Sequence, residues 1–449
     1  MQTKARKLSL FDLTMIVISL VIGMGIFRTP VNVANQALTP TIYFAAWFIG
    51  GLIALSGALT YAEIGSRYPV TGAYYKIFSA CYHPSVAFAI NAIILVSNAA
   101  SVAAIALIGA EYISNAAFTD AQNTLEAKLW IAGGCIVLFY GLNLLGLRLS
   151  SMVQNILMLF KIALMVLVIS AIFVSPDANL TSTPSDIIQT APGWADLGYA
   201  LGVCLVAVSF TFGGYQQSIN FGAEVKNSSR IMPKAIFIGI GVVLLLYMLI
   251  NFAYFRVIGF NELGNTESIG AVMASKIFGE SGFQIVSWLF FFSVLGYVNV
   301  MLLTSPRVMF AMSEDGTMPA SFRDINPKTQ VMTTALSVFT VASIFTLMYA
   351  QEFDRILDYI MFLDSIGMAF SAATIFYFRK KNMAPEGMDI YKVPLYPVLP
   401  IFFIAAYTFI ALSVFVKKPD AAINGLIIFA AFFAAFWVAY FWKFGFKRK

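Results

Sequence analysis

Two short stretches hold the most unusual chemistry in this chain of 449 residues: Val21-Ile22-Gly23-Met24-Gly25 and Phe210-Thr211-Phe212-Gly213-Gly214. Both place glycines inside apolar runs long enough to cross a ~30 Å hydrocarbon core as helices. Unwound backbone in lipid costs several kcal/mol per unsatisfied group, so such breaks are tolerated around a cavity lined by protein. Beyond the first break a new half-helix starts near Gly25, and its free N–H groups and positive dipole end suit a carboxylate. Carbonyls of Val21 and Ile22 before that break, and of Phe210 and Thr211 before the other, suit an ammonium group. Backbone donors for an anion beside backbone acceptors for a cation fit a zwitterion, the part that all α-amino acids share. The competing reading is glycine for close helix packing. Two breaks at matching places, five spans apart, favour a binding site at the membrane midplane.

Charged side chains within apolar runs are the next candidates, because they are expensive at that depth and mark function. Lys161, in LFKIALMVLVI, either snorkels to the nearer interface or serves as a proton carrier or a fixed substitute for sodium. Arg28 stands just beyond the first break, Asp364 lies near the middle of the tenth run and Asp358 further outward. Pairing of Arg28 with either carboxylate would make an outer gate; otherwise Arg28 reaches outer water. Glu224, with Lys226 and Arg230 nearby, and Glu63, with Arg67 nearby, are inner-gate or ordinary interfacial charges. No acidic side chain stands beside either break in sequence, although Glu111 or Asp364 could approach in the fold.

Other chemistries are excluded by what is missing. His83 is the single histidine, in a loop, and Cys81, Cys135 and Cys204 form neither a CxxC nor a His–Cys pattern. Neither a metal site nor a disulfide framework is expected. No cofactor site, nucleotide-binding GxxxxGK[ST] motif or converging cluster of catalytic groups is legible, which argues against an enzyme and for gradient-driven work.

The elements that would position these residues follow from composition. The chain is 60% hydrophobic and 11% charged with a mean hydropathy of +0.82, against roughly a quarter charged in soluble domains. An all-α polytopic membrane protein with twelve spans is expected, at about 10–37, 41–65, 84–112, 129–147, 152–174, 195–223, 234–256, 284–313, 331–349, 355–378, 396–416 and 421–442. With the N-terminus inside, twenty of the 28 Lys and Arg residues fall in inner segments and six in outer ones. That bias places both termini in the cytoplasm, in a plasma (bacterial inner) membrane, and explains the net charge of +6 without nucleic acid. No cleavable signal is read at the N-terminus. Residues 1–378 form the expected transport core of two five-span repeats in opposite orientation, and 379–449 two accessory spans.

Residues 22–30 (IGMGIFRTP), 212–236 (FGGYQQSINFGAEVKNSSRIMPKAI) and 305–319 (SPRVMFAMSEDGTMP) together resemble the amino acid–polyamine–organocation superfamily, most of all its L-type amino acid permeases. The resemblance covers essentially the whole chain. It implies a twelve-helix fold with an inverted five-plus-five repeat, broken helices one and six, and amino acid transport by alternating access. It also implies a carboxylate site at Gly23, Met24 and Gly25, where Met24 replaces a common serine. Phe210 matches an aromatic that closes over substrate from outside, Gly213 and Gly214 an unwound segment shaping the side-chain pocket. Lys161 matches a lysine standing where sodium-coupled relatives hold the ion, and Asn299 a polar residue near the cavity. Neutral amino acids are the expected substrates, by proton symport or exchange; a polyamine, choline or nucleobase carrier of the same fold is the alternative. No cysteine lies between 113 and 128, so no disulfide-linked heavy subunit is expected.

Overall fold

The computed structural model describes residues 7–23, 25–118, 124–174, 193–266, 269–348, 353–385 and 389–444. Met24, which the sequence marks as a site residue, lies outside them. The described residues are almost entirely helical, and ten helices among them are long and apolar enough to cross a membrane. The remaining two expected spans fall on Thr333–Met348 and Phe353–Lys380.

Local chemistry sets where these helices begin and end. Ser9 and Asp12 cap the first helix reciprocally, and Thr39 caps the second span before Pro40. His83, expected as a plain loop residue, caps the third span by accepting from the Ser85 N–H, and its ring stacks on Trp437. Cys81 ends a short helix, Ala73–Cys81. Span four runs Leu125–Leu144 and stops before Gly146, whose φ of +114° turns the chain into span five, Leu147–Val174. The expected end at 147 was late because hydropathy does not register a two-residue turn between apolar segments. Span eight is longer than expected: its helix runs Ile269–Glu314, since charged residues near 276 and 280 lower hydropathy without interrupting a helix.

Both expected breaks are present. The first span comprises Leu10–Val21 and Gly25–Gln36, with Ile22 and Gly23 out of helical form. The sixth comprises Trp194–Thr211 followed by 3₁₀ turns, Tyr215–Asn220 and Gly222–Glu224, so its second half is not α-helical. Span two packs along span seven, span eight along spans three and five, and span eleven, Val398–Lys417, along spans ten and two.

The face carrying the N-terminus is tied shut. Leu8 pairs its backbone with the segment after span six, its N–H on Glu224 O at 2.8 Å and its carbonyl accepting from Lys226 N at 3.2 Å. Glu63, fully buried, accepts from Arg379 at 2.6 Å, Arg67 at 2.7 Å and the Val393 N–H at 2.7 Å, which fixes the connection into span eleven. Such a carboxylate, with several charge-assisted donors, is worth more than a surface ion pair.

Candidate functional site

The two breaks lie against one another. Gly214 has φ +105°, and a Cβ there would sit 2.2 Å from the Leu20 carbonyl oxygen. A Cβ on Gly25 would meet the Thr211 methyl at 2.9 Å. Glycine at these positions therefore permits a backbone approach that any side chain would block. The Thr211 hydroxyl donates to Thr29 Oγ1 at 2.8 Å, fastening the second half of span one to the end of the first half of span six.

The carbonyls exposed by unwinding already have protein donors. Lys161, 1% exposed, donates from Nζ to the Ile22 carbonyl at 2.5 Å. Tyr247, on span seven, sends its hydroxyl toward Val21 O and Thr211 O, each at 3.3 Å, so one side chain joins both broken ends. Val21 O also accepts from the Gly23 N–H at 2.8 Å, and Phe210 O from the Gly213 N–H at 3.0 Å. Val21 O thus has two donors, while Ile22 O, Phe210 O and Thr211 O each keep a lone pair for a ligand; the fully free acceptors expected at Val21, Ile22, Phe210 and Thr211 are not what the fold presents. The donor side differs. Among the described residues, Gly25, Ile26 and Phe27 have no hydrogen bond to their N–H groups from outside their helix. They form an open helix N-terminus beside Gly23, against which the ring of Tyr297 rests.

Asn299 does not join this group. It is fully buried and its amide hydrogens go to Gln154 Oε1 at 2.7 Å and the Ser150 carbonyl at 3.2 Å, while its oxygen accepts from Asn143 at 2.9 Å. Gln154 passes the chain on to Ser19 Oγ at 2.6 Å, and Ser19 to Gly296 O at 3.2 Å. A polar network of this kind, joining spans four, five, eight and one, holds a unique packing in an apolar interior.

The gate residues separate as well. Arg28 is exposed, and Asp364 forms no ion pair with it; the side chain of Asp358 lies outside the described residues. Glu224 pairs not with Lys226 or Arg230 but with Arg307 of span eight, Nε to Oε1 at 2.8 Å and Nη2 to Oε2 at 2.5 Å. The guanidinium also lies 4.2 Å from the Phe221 ring centroid. This bidentate pair closes the same face as Leu8.

Asp364, one of the two acids left open to approach a break through the fold, stands beside the second one. It lines a small cavity with Val206, Ser209, Phe210, Gly213 and Tyr407. Phe210 as a whole is 47% exposed, so its ring is not packed down against the protein. Sequence distance hid this juxtaposition, since span ten meets the break only through the tertiary fold. Tyr247 and Ser209 were likewise missed: a tyrosine or serine in an apolar run carries no signal that separates it from packing.

The family model described as amino acid permease matches residues 8–439 of the chain. The serine/threonine exchanger SteT of Bacillus subtilis (strain 168) is 26% identical, over 89% of this chain and 89% of that protein. The b(0,+)-type amino acid transporter 1 of Mus musculus is 24% identical, over 97% and 88%. The large neutral amino acids transporter small subunit 2 of Mus musculus is also 24% identical, over 95% and 80%.

Proposed function

The chain belongs to the amino acid permease family, an integral membrane permease and not an enzyme, and on that premise we propose that it exchanges neutral α-amino acids by alternating access, without sodium. The observation that carries this reading is the pair of abutting breaks, with open N–H groups at Gly25, Ile26 and Phe27 on one side and unwound carbonyls on the other. The substrate carboxylate takes the helix N-terminus, where aligned dipoles favour an anion. The α-ammonium takes the remaining lone pairs on Phe210 and Thr211, carbonyls that Lys161 does not occupy, and the Phe210 ring closes over it. Neutral side chains agree with relatives named for serine and threonine or for large neutral amino acids.

Lys161 supports sodium independence. A metal cation bound at the Ile22 carbonyl would stand beside an ammonium group that already occupies it, and like charges in a low dielectric repel strongly. A held charge of this kind suits exchange, in which substrate alone returns the carrier. The basic residues on the N-terminal face support cytoplasmic termini in a bacterial inner membrane. Without a cysteine in 113–128, the carrier works without a disulfide-linked partner.

Radiolabelled serine, alanine and leucine uptake into proteoliposomes tests the proposal. Uptake is expected when unlabelled amino acid is loaded inside and to be indifferent to sodium. Stimulation by an inward proton gradient alone would replace exchange by proton symport, and failure of all three substrates would turn attention to polyamine, choline or nucleobase.

A further inference from the structure

The cavity beside the second break contains a carboxylate that the protein does not neutralise. Among the described residues Asp364 has neither a hydrogen bond nor an ion pair, whereas Glu63 and Glu224 are both held by arginines. Tyr74, Tyr215, Tyr297 and Tyr407, from four other elements, lie within electrostatic reach of Asp364, and none of these four is a cation. A second group is also waiting: Ser209, 2% exposed and lining the same cavity, has a hydroxyl with no hydrogen-bond partner.

These two observations point to one ligand chemistry. An unpaired carboxylate in a low-dielectric cavity is costly, and the cost grows when a carrier closes and expels water. Around it the structure offers carboxylate oxygens, a serine oxygen and tyrosine rings, a set of acceptors and aromatic faces that matches an ammonium or guanidinium. The cavity is also placed for a side chain. Phe210 and Gly213 flank the broken end at Thr211 and Phe212, whereas the open N–H groups belong to span one. The ring of Tyr297 rests against Gly23 and also lies within electrostatic reach of Asp364, which links the carboxylate end of the site to span ten.

We propose that Asp364 and Ser209 form a side-chain subsite that receives the terminal ammonium or guanidinium of a cationic amino acid, a second substrate class beside the neutral ones. The inference rests on the amino acid reading above and goes beyond it. It also accounts for the absence of a contact between Arg28 and Asp364, since a carboxylate reserved for substrate must be free of a resident arginine.

Competition against labelled serine in wild-type proteoliposomes tests it first, with lysine, arginine and norleucine, the last having a side chain of lysine-like length without the charge. Lysine and arginine are expected to compete at least about tenfold more strongly than norleucine, and Asp364→Asn to lower the lysine-to-serine uptake ratio by about tenfold or more. Asp364→Glu should recover most of that ratio, and Ser209→Ala should lower it severalfold. Norleucine competing as well as lysine, or an unchanged ratio in Asp364→Asn, overturns the subsite. So does loss of a proton-gradient response without a change in ratio, which would make Asp364 a proton site. Serine exchange by the wild type reports separately on the amino acid reading. If the Asn variant does not reconstitute, the wild-type competition decides.

Discussion

At the scale of single residues, the site turns on which polar groups have partners and which do not. Lys161 has one, the Ile22 carbonyl at the first break, and this contact explains how a lysine is tolerated 1% exposed in an apolar span. Removing its charge leaves the unwound carbonyl without a cationic partner. Lys161→Gln, which retains an N–H donor but not the charge, is expected to reduce serine exchange by about tenfold or more, at a magnitude usual for a charged hydrogen bond. Exchange at the wild-type rate in that variant would show the ammonium to be a packing element. Lys161 was legible in the sequence because a charge stands out in an apolar run. Its partner was not, because span five and the break are 139 residues apart.

At the scale of elements, the broken helices function as a joined pair. Gly214 approaches Leu20, Gly25 approaches Thr211, and Tyr247 reaches both broken ends. Gly214→Ala would combine a positive φ, which costs an L-residue about 1–2 kcal/mol, with a collision against the Leu20 carbonyl. Gly213→Ala meets its nearest atom, Phe210 O, at 3.2 Å and carries no positive φ. Thermal unfolding in detergent is expected to show a clear loss of stability for Gly214→Ala and a smaller one for Gly213→Ala, with exchange falling in the same order. Equal effects would mean that the contact between the two breaks is not tight. The positions of both breaks were legible from glycine in an apolar run; the 3₁₀ form of the second half of span six was not, since local sequence does not distinguish a tight from an ordinary turn.

At the scale of the whole molecule, the protein is closed on the face bearing its N-terminus and carries an uncovered Phe210 on its site. The closure is built from Leu8 on the 224–226 backbone, Glu224 on Arg307, and Glu63 on Arg67 and Arg379. All but Glu63–Arg67, which lies within span two, link separate elements of that face. Arg307→Ala removes one partner of a largely buried pair and biases the equilibrium toward opening. With Cys81, Cys135 and Cys204 replaced by alanine, a Ser218→Cys reporter, buried in this arrangement, is expected to react several-fold faster with a maleimide when Arg307→Ala is present. Restoring slow labelling by the charge swap Glu224→Arg with Arg307→Glu would tie the effect to the pair. Labelling unchanged by Arg307→Ala would assign closure to the backbone pairing of Leu8 instead.

Composition, hydropathy period and interrupted apolar runs were enough to determine the polytopic helical architecture, the places of both breaks and the lysine that stands out among apolar neighbours. These properties are local: lipid demands long apolar helices, and a glycine pair weakens a helix wherever it occurs. Partnership was decided by the tertiary structure alone. It took Asn299 into a buried amide network, gave Glu224 to Arg307, and brought Asp364 and Ser209 to one cavity beside Phe210. Hydrogen bonds and ion pairs act over a few ångström, and which residues come that close is set by how the helices pack against one another.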